Sequence, residues 1–493
     1  MNKKWYYESP QTIYVFALRS DGMDNRINPE GDRSLESCAT GRLADFINGL
    51  EYEGLPSDVI EKTKETILDY VGALLAGCSR GSILSERLIQ LIMRNGGTQE
   101  ATIIGQKAKV PVINAALCNG VLSHVVELDD GHRIARGHPG VTVISAALAT
   151  AEYANSSGRE LITAIVAGYD IFVRVASSVN PSHLERGFHT TGTCGALAAS
   201  AAASKLLGLS SEETANALGL AGIQAAGLLE VTVDGQMAKP LHPGKAAQAG
   251  VLSALLAKDG VKGPKTVIEG IKGFAKAMSD EFDYELIEKG INEVFHINSC
   301  YIKLYPSCRH THSPIDAVLD LIKENDFNCS DIDDILIRTY PTAISFVGEI
   351  YKPKTSEEAK FSAAYCVCAA LARGEFGLRE LEPDCLRDPL ISALTDKVTI
   401  EPDPSLESSY PKVRGAEAHI TLNDGRRLSK RIDLPKGEVE NPISRDELIR
   451  KFKNCTDSHF NNEKRNKVVN QIMSIELIDY LGDLVSLLKL SHY

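Results

Sequence analysis

Residues 194–204 consist almost wholly of alanine, glycine and serine around a single leucine, Leu197. Such a run has no β-branched side chain, favours helix, and suits an interior helix that its neighbours approach closely. The same reading extends on both sides. Apolar residues recur at three- and four-residue spacing in Leu43, Phe46, Ile47 and Leu50, and again in Val59, Ile60, Ile67, Leu68 and Val71, the period of a helix with one buried face. From Thr40 to about Asn298 the chain therefore reads as all-α. After Tyr305 and Pro306 the period changes to that of strands, at residues 333–339, 397–401 and 416–422. Asn423, Asp424 and Gly425 then lead into residues 427–432, an Asp-Gly hairpin signal. Pro435, Gly437 and Pro442 end this region, and Ser444 with Glu447 has the spacing of a capping box that opens terminal helices. The expected fold is mainly α, a large all-helical domain with a smaller α+β lid domain. Its parts are a flexible extension over residues 1–36, the helical domain over 37–298, the lid over 299–436, and helices over 437–493 that return to the first domain.

A chain of 493 residues, 43% hydrophobic and 24% charged, can bury a large core. Its net charge of -12 argues against nucleic acid or a membrane surface as partner, since both call for a basic face. An anionic ligand would need a local basic pocket. The eleven cysteines are scattered apart from Cys366 and Cys368, which implies reduced thiols, packed in the core, rather than a disulfide framework. The first ten residues carry no long apolar run and no small-residue cleavage site, so the expected location is the cytoplasm.

Against this apolar background, ionisable residues gather in a few places. His124, Glu127, Asp129, Asp130 and His132 run into Gly137, His138, Pro139 and Gly140. Charged groups are costly to bury unless something docks against them, so this stretch is the first candidate site. His189 stands between Gly187 and Gly192 ahead of the alanine-rich helix, where free N–H groups favour a carboxylate. Lys239 precedes Pro240 at another helix start, near His242 and Lys245. Lys303, Tyr305, Cys308, Arg309, His310 and His312 cluster at the domain boundary, where small-molecule clefts form.

Taken in order, Glu127 to Asp130 with His138 and Pro139, Gly187 to Thr193, Lys239 to Gly244, Lys303 to Pro306 and Lys360 to Tyr365 resemble the motifs of the MmgE/PrpD family of 2-methylcitrate dehydratases and cis-aconitate decarboxylases. The resemblance runs from about Thr40 to the C-terminus. It implies a homodimer with a site between the two domains, no cofactor, and no metal or iron–sulfur cluster. It also implies a small anionic polycarboxylate as substrate. Carried over residue by residue, it makes His138, His189, Asp130, His132 and Tyr365 catalytic, and Glu127, Lys239, Lys303, Cys308 and Arg309 substrate-binding. Cys308 stands where decarboxylase-like members carry a histidine, which lowers the decarboxylase reading.

The chemistry of these residue types is consistent. Removing a proton beside a carboxylate builds a second negative charge, which Lys239, Lys303 and Arg309 would stabilise. His138 or His189 would move the proton, Asp130 and His132 would orient it, and Tyr365 would assist a departing hydroxyl. The expected activity is a cofactor-independent lyase that dehydrates or hydrates a citrate-like tricarboxylate. The alternatives are decarboxylation of cis-aconitate and epimerisation of a dicarboxylate such as iminodisuccinate. A divalent-metal enzyme built on Asp129 and Asp130, or zinc on Cys308, His310 and His312, is a further class. His124 and His242 read as structural, Asp129 as a helix cap or a partner of Arg133, and Lys245, Lys360 and Arg309 equally as solvated or paired charges.

Overall fold

The computed structural model describes residues 38–80, 82–233 and 237–490; the expected extension over residues 1–36 lies outside them. Two hydrophobic cores organise the rest. The larger gathers side chains from Ala39 to Ile302 and again from Leu448 to Leu490, so the terminal helices complete the first lobe. The smaller runs from Ile315 to Leu422.

The helix Thr190–Leu206 lies at the centre of the large lobe, packed by the helices Leu241–Lys258, Gly158–Val179 and Gly140–Ala154. Its small residues permit that approach. A Cβ added at Gly250 would come within 2.5 Å of Ala199 Cβ, and one at Gly195 within 2.6 Å of Thr142 Cγ2, distances that close-packed interiors do not tolerate. The helix Gly158–Val179 is long and apolar enough to cross a membrane, but 94% of its apolar stretch is buried inside the bundle.

In the small lobe the sheet order is Val398–Pro402, Ile332–Thr339, Ala416–Leu422, Arg427–Ile432. The first pair is parallel and the others antiparallel, the last joined by the hairpin with Gly425 at φ +88°. Ala416, Ala418, Ile420 and Leu422 alternate inward towards the helix His312–Glu324, which packs on Ala363–Arg373.

Two segments cross between the lobes and pair with each other. Ile302 N–H donates to the Gly437 carbonyl at 3.0 Å, and a Cβ at Gly437, φ +95°, would lie 1.9 Å from the Ile302 oxygen. Only glycine fits there. Lys451, on the helix Arg445–Cys455, donates to the carbonyls of Lys303 at 2.6 Å and Leu128 at 2.9 Å and pairs with buried Asp69. The C-terminal helix thereby fixes the crossing segment against the acidic loop.

Candidate active site

Three helices of the large lobe begin at one place. His138 precedes Gly140–Ala154, His189 caps Thr190–Leu206, and Lys239 precedes Leu241–Lys258. The first two starts are joined where His138 N–H donates to Thr191 Oγ1 at 3.1 Å. His189 Nδ1 meets His242 Nδ1 at 2.9 Å, one nitrogen donating and the other accepting, which joins the second start to the third. Helix starts carry partial positive charge and spare N–H groups, so their convergence favours an anion.

A fourth helix, Val112–His124, ends facing them. His124 is fully buried, with Nδ1 3.0 Å from both Asp129 oxygens and Nε2 3.5 Å from Glu127 Oε1. Its ring centre lies 5.2 Å from that of His138 and 6.4 Å from that of His189. Glu127 adopts φ +52°, strained for a residue with a Cβ, and such strain collects at functional sites. The turn lets its carboxylate receive two lysines. Lys239 pairs with one oxygen; Lys303 lies 3.2 Å from the other and donates to the Glu127 carbonyl at 3.0 Å. Lys360, from the small lobe, donates to the Val125 carbonyl at 2.9 Å. A pocket between the lobes touches Glu127, Lys239, Lys360 and Phe361.

The electrostatics follow from burial and these neighbours. Burial would raise the carboxyls of Glu127 and Asp129, but Lys239, His124 and Lys303 outweigh it at Glu127, and His124, His138 and Lys303 at Asp129, so both are held low. Burial works against the Lys303 ammonium, yet Glu127 and Asp129 raise its pKa; Lys360, with weaker carboxylate support, is lowered by burial. Burial pushes His138 down to about 3 and His242 to about 4, and holds His189 well below the usual imidazole range. The site thus presents neutral imidazoles beside fixed ammonium groups.

Ligating atoms of His124, Glu127 and Asp129 lie within 4.8 Å of one another, a spacing that could hold a cation. Lys239 and Lys303 already occupy Glu127, and their charge opposes a second cation there. The other metal reading fails on geometry. Among the described residues the ligating atoms of Cys308, His310 and His312 do not come close enough together to share an ion; Arg309 NH1 sits 2.8 Å from His312 Nδ1, and His310 bonds Tyr340.

Residues 41–287 match the MmgE/PrpD N-terminal domain and residues 305–475 the MmgE/PrpD C-terminal domain. The chain belongs to the MmgE/PrpD family. Curated relatives include the cis-aconitate decarboxylase-like protein oryM of Aspergillus oryzae, 28% identical across 93% of this chain and 98% of the relative. The cis-aconitate decarboxylase of Homo sapiens is 27% identical across 91% and 94%. The 2-methylcitrate dehydratase of Escherichia coli K12 is 23% identical across 85% and 87%.

Of the residues expected from sequence, this MmgE/PrpD chain brings Glu127, His138, His189, Lys239 and Lys303 together, with Cys308 close enough to feel the charges of Glu127 and both lysines. Others stand elsewhere. Asp130 is one step behind: its carboxylate accepts from Gly140 N–H at 3.0 Å and Tyr169 hydroxyl at 2.7 Å, while its carbonyl faces His138 Nδ1 at 2.6 Å. Burial raises it to about 7. His132 holds its own loop by accepting from Ala135 N–H at 3.0 Å. Arg309 spends its donors on Glu438, 2.9 Å away, and on the Lys436 carbonyl, stacked on Tyr301, and so braces the crossing segments. Tyr365 lies in the small core, its hydroxyl donating to the Glu380 carbonyl. His124 and His242, read as structural, are central to the cluster, and Asp129 pairs with His124 and His138 whereas Arg133 pairs with Glu438 and Glu440.

Proposed function

We propose that this chain is a cofactor-independent lyase of a small citrate-like tricarboxylate, which it dehydrates or hydrates. The observation that carries the reading is the meeting of Lys239 and Lys303 on a buried carboxylate, beside neutral imidazoles. Glu127 occupies the place that a substrate carboxylate would share. A proton on His138 Nδ1, directed at the Asp130 carbonyl and facing Asp129 Oδ2 at 3.2 Å, leaves Nε2 as the basic nitrogen. That nitrogen removes a proton from the carbon beside a carboxylate. The electron pair forms an aci-carboxylate, which the two ammonium groups stabilise in a site largely closed to water. As the pair returns to form the double bond, the carbon–oxygen bond breaks. The His189–His242 pair, which takes up a proton as the polyanion binds, delivers it to the leaving hydroxide, which departs as water.

Decarboxylation is a second reading, favoured by the comparisons: relatives named cis-aconitate decarboxylases are 26–27% identical and the decarboxylase-like protein 28%, against 23% for the 2-methylcitrate dehydratase of Escherichia coli K12. In that case carbon dioxide leaves with its bonding pair retained on carbon, and a protonated imidazole quenches the carbanion.

Incubation with citrate, 2-methylcitrate and cis-aconitate separates the two. Dehydration gives an unsaturated acid by ultraviolet absorbance with no gas, and decarboxylation gives carbon dioxide from cis-aconitate. No reaction with any of them refutes the assignment.

A further inference from the structure

The pocket at Glu127 and Lys239 has room for only about 30 Å³, one or two waters. On the other side of Lys360, a second cavity of about 600 Å³ lies between the lobes, within the range of small-molecule sites. Its wall includes Arg80, Val126, Lys354, Lys360, Glu382 and Arg387. The two cavities share Lys360, and the wall between them continues through Val125, whose carbonyl holds that ammonium, and Val126. Lys360 is buried at the inner end while Lys354 and Arg387 are exposed at the outer end.

The charge of this cavity is one-sided. Arg80 is paired with Glu382 at 2.6 Å, and Glu358 accepts from the backbone N–H of Lys354. The side chains of Lys354 and Arg387 make no ion pair among the described residues, and Lys360 bonds only a carbonyl. Unpaired cations lining a concave surface concentrate anions from solution, here against the repulsion of a chain whose net charge is -12.

We infer that this second cavity is an anion-binding vestibule, where a small di- or tricarboxylate is captured before passing Lys360 to the catalytic histidines. The inference rests on the substrate class proposed above. Lys354 and Arg387 supply the capture. Lys360, with spare donors, reaches both spaces and can hold a carboxylate in transit.

The test is the double variant K354E/R387E, with the charge-keeping K354R/R387K beside it. Calorimetric titration with citrate needs no turnover. Wild type and K354R/R387K bind it, and K354E/R387E binds about tenfold or more weakly, the gap narrowing as salt screens the exposed charges. On whichever tricarboxylate is turned over, kcat stays at the wild-type value and kcat/KM falls by a similar factor. Equal citrate affinity in all three proteins, or no binding to wild type, overturns the vestibule. Charge-dependent binding without turnover of any tricarboxylate upholds the vestibule and defeats the lyase assignment.

Discussion

Lys239 and Lys303 grip the same carboxylate but differ in depth, and that difference yields a quantitative test. The Lys239 side chain is 12% exposed, and its only polar partner among the described residues is Glu127. The Lys303 side chain is 1% exposed and also holds the Glu127 carbonyl. In K239M the protein keeps Lys303 against Glu127, so folding changes little, while the reaction loses one of its two ammonium groups. By comparison with oxyanion-hole donors that loss is about 2.7–4 kcal/mol of barrier, on the order of 10²–10³ in kcat. K303M removes the more deeply buried partner and leaves the Glu127 carbonyl unpaired, which adds a folding cost of about 1–3 kcal/mol. The double variant K303M/E127Q removes both charges of the buried pair. It regains part of the stability, since Lys239, 12% exposed, loses its carboxylate in turn, and none of the turnover. Thermal unfolding and steady-state kinetics on the four proteins decide the matter. A K239M enzyme at the wild-type rate, or a K303M enzyme no less stable than K239M, would refute the assignment of these lysines.

Substrate binding should draw protons from solution. Burial keeps His242 neutral, with a pKa of about 4; a bound polyanion supplies a negative field and raises it, while His138, held at about 3, stays neutral as the base. Calorimetry of tricarballylate binding in two buffers of different ionisation enthalpy should therefore give different heats, and identical heats would count against it. Acid should unfold the protein early. His132 and His138 near 3, and His183, His242 and His296 near 4, all lie below their unfolded value of 6.5, so the unfolded chain binds more protons and stability falls as pH drops from 6.5 towards 4. Asp130 and Asp170, raised to about 7, lose their contribution as pH rises through 7 and act in the opposite sense, as do Asp69 and Asp316, but these four carboxyls oppose eight rings once His189, His310 and His312 are included. A Tm that stays level or climbs between pH 6.5 and 4 would contradict this. Y365F should keep the wild-type kcat and lose about 1 kcal/mol of stability, the worth of one buried hydrogen bond; a collapsed kcat at unchanged Tm would place Tyr365 back in the site.

The features legible in the sequence were those with a local signature. The small residues of 194–204 announced a close-packed interior helix, and the Asp-Gly turn at Asp424 and Gly425 announced the hairpin. His138, His189 and Lys239 could be found because glycine and proline mark the helix starts beside them. His124 could not, since a single histidine at the end of an apolar helix looks like any satisfied core residue. Its pairing with Asp129, five residues on, depends on the left-handed turn at Glu127. His242 meets His189 across 53 residues only because two helices touch. Arg309 misled for the same reason in reverse: its charge reads as available until Glu438, 129 positions later, takes it. A signal of that kind lies in the packing and not in any window of residues.

The site therefore depends on segments far apart in the chain being held in one frame. The helix starts supply the positive ends, but they would face an empty corner without the acidic loop, and that loop's carbonyl at Leu128 is fixed by Lys451 of the C-terminal helix. The same ammonium holds the Lys303 carbonyl, so the distance between Glu127 and its inner lysine is set from outside the site. Lys451 is itself neutralised by Asp69 on the helix Ser57–Ser79, deep in the large core. One buried ammonium thus ties both ends of the large lobe to the segment that leads into the small one. That arrangement explains why a chain with a net negative charge can keep lysines buried next to one another. Each is met by a carboxylate or a carbonyl that the fold, and not the solvent, provides, and the free energy released when a substrate carboxylate joins them is not spent on assembling the site.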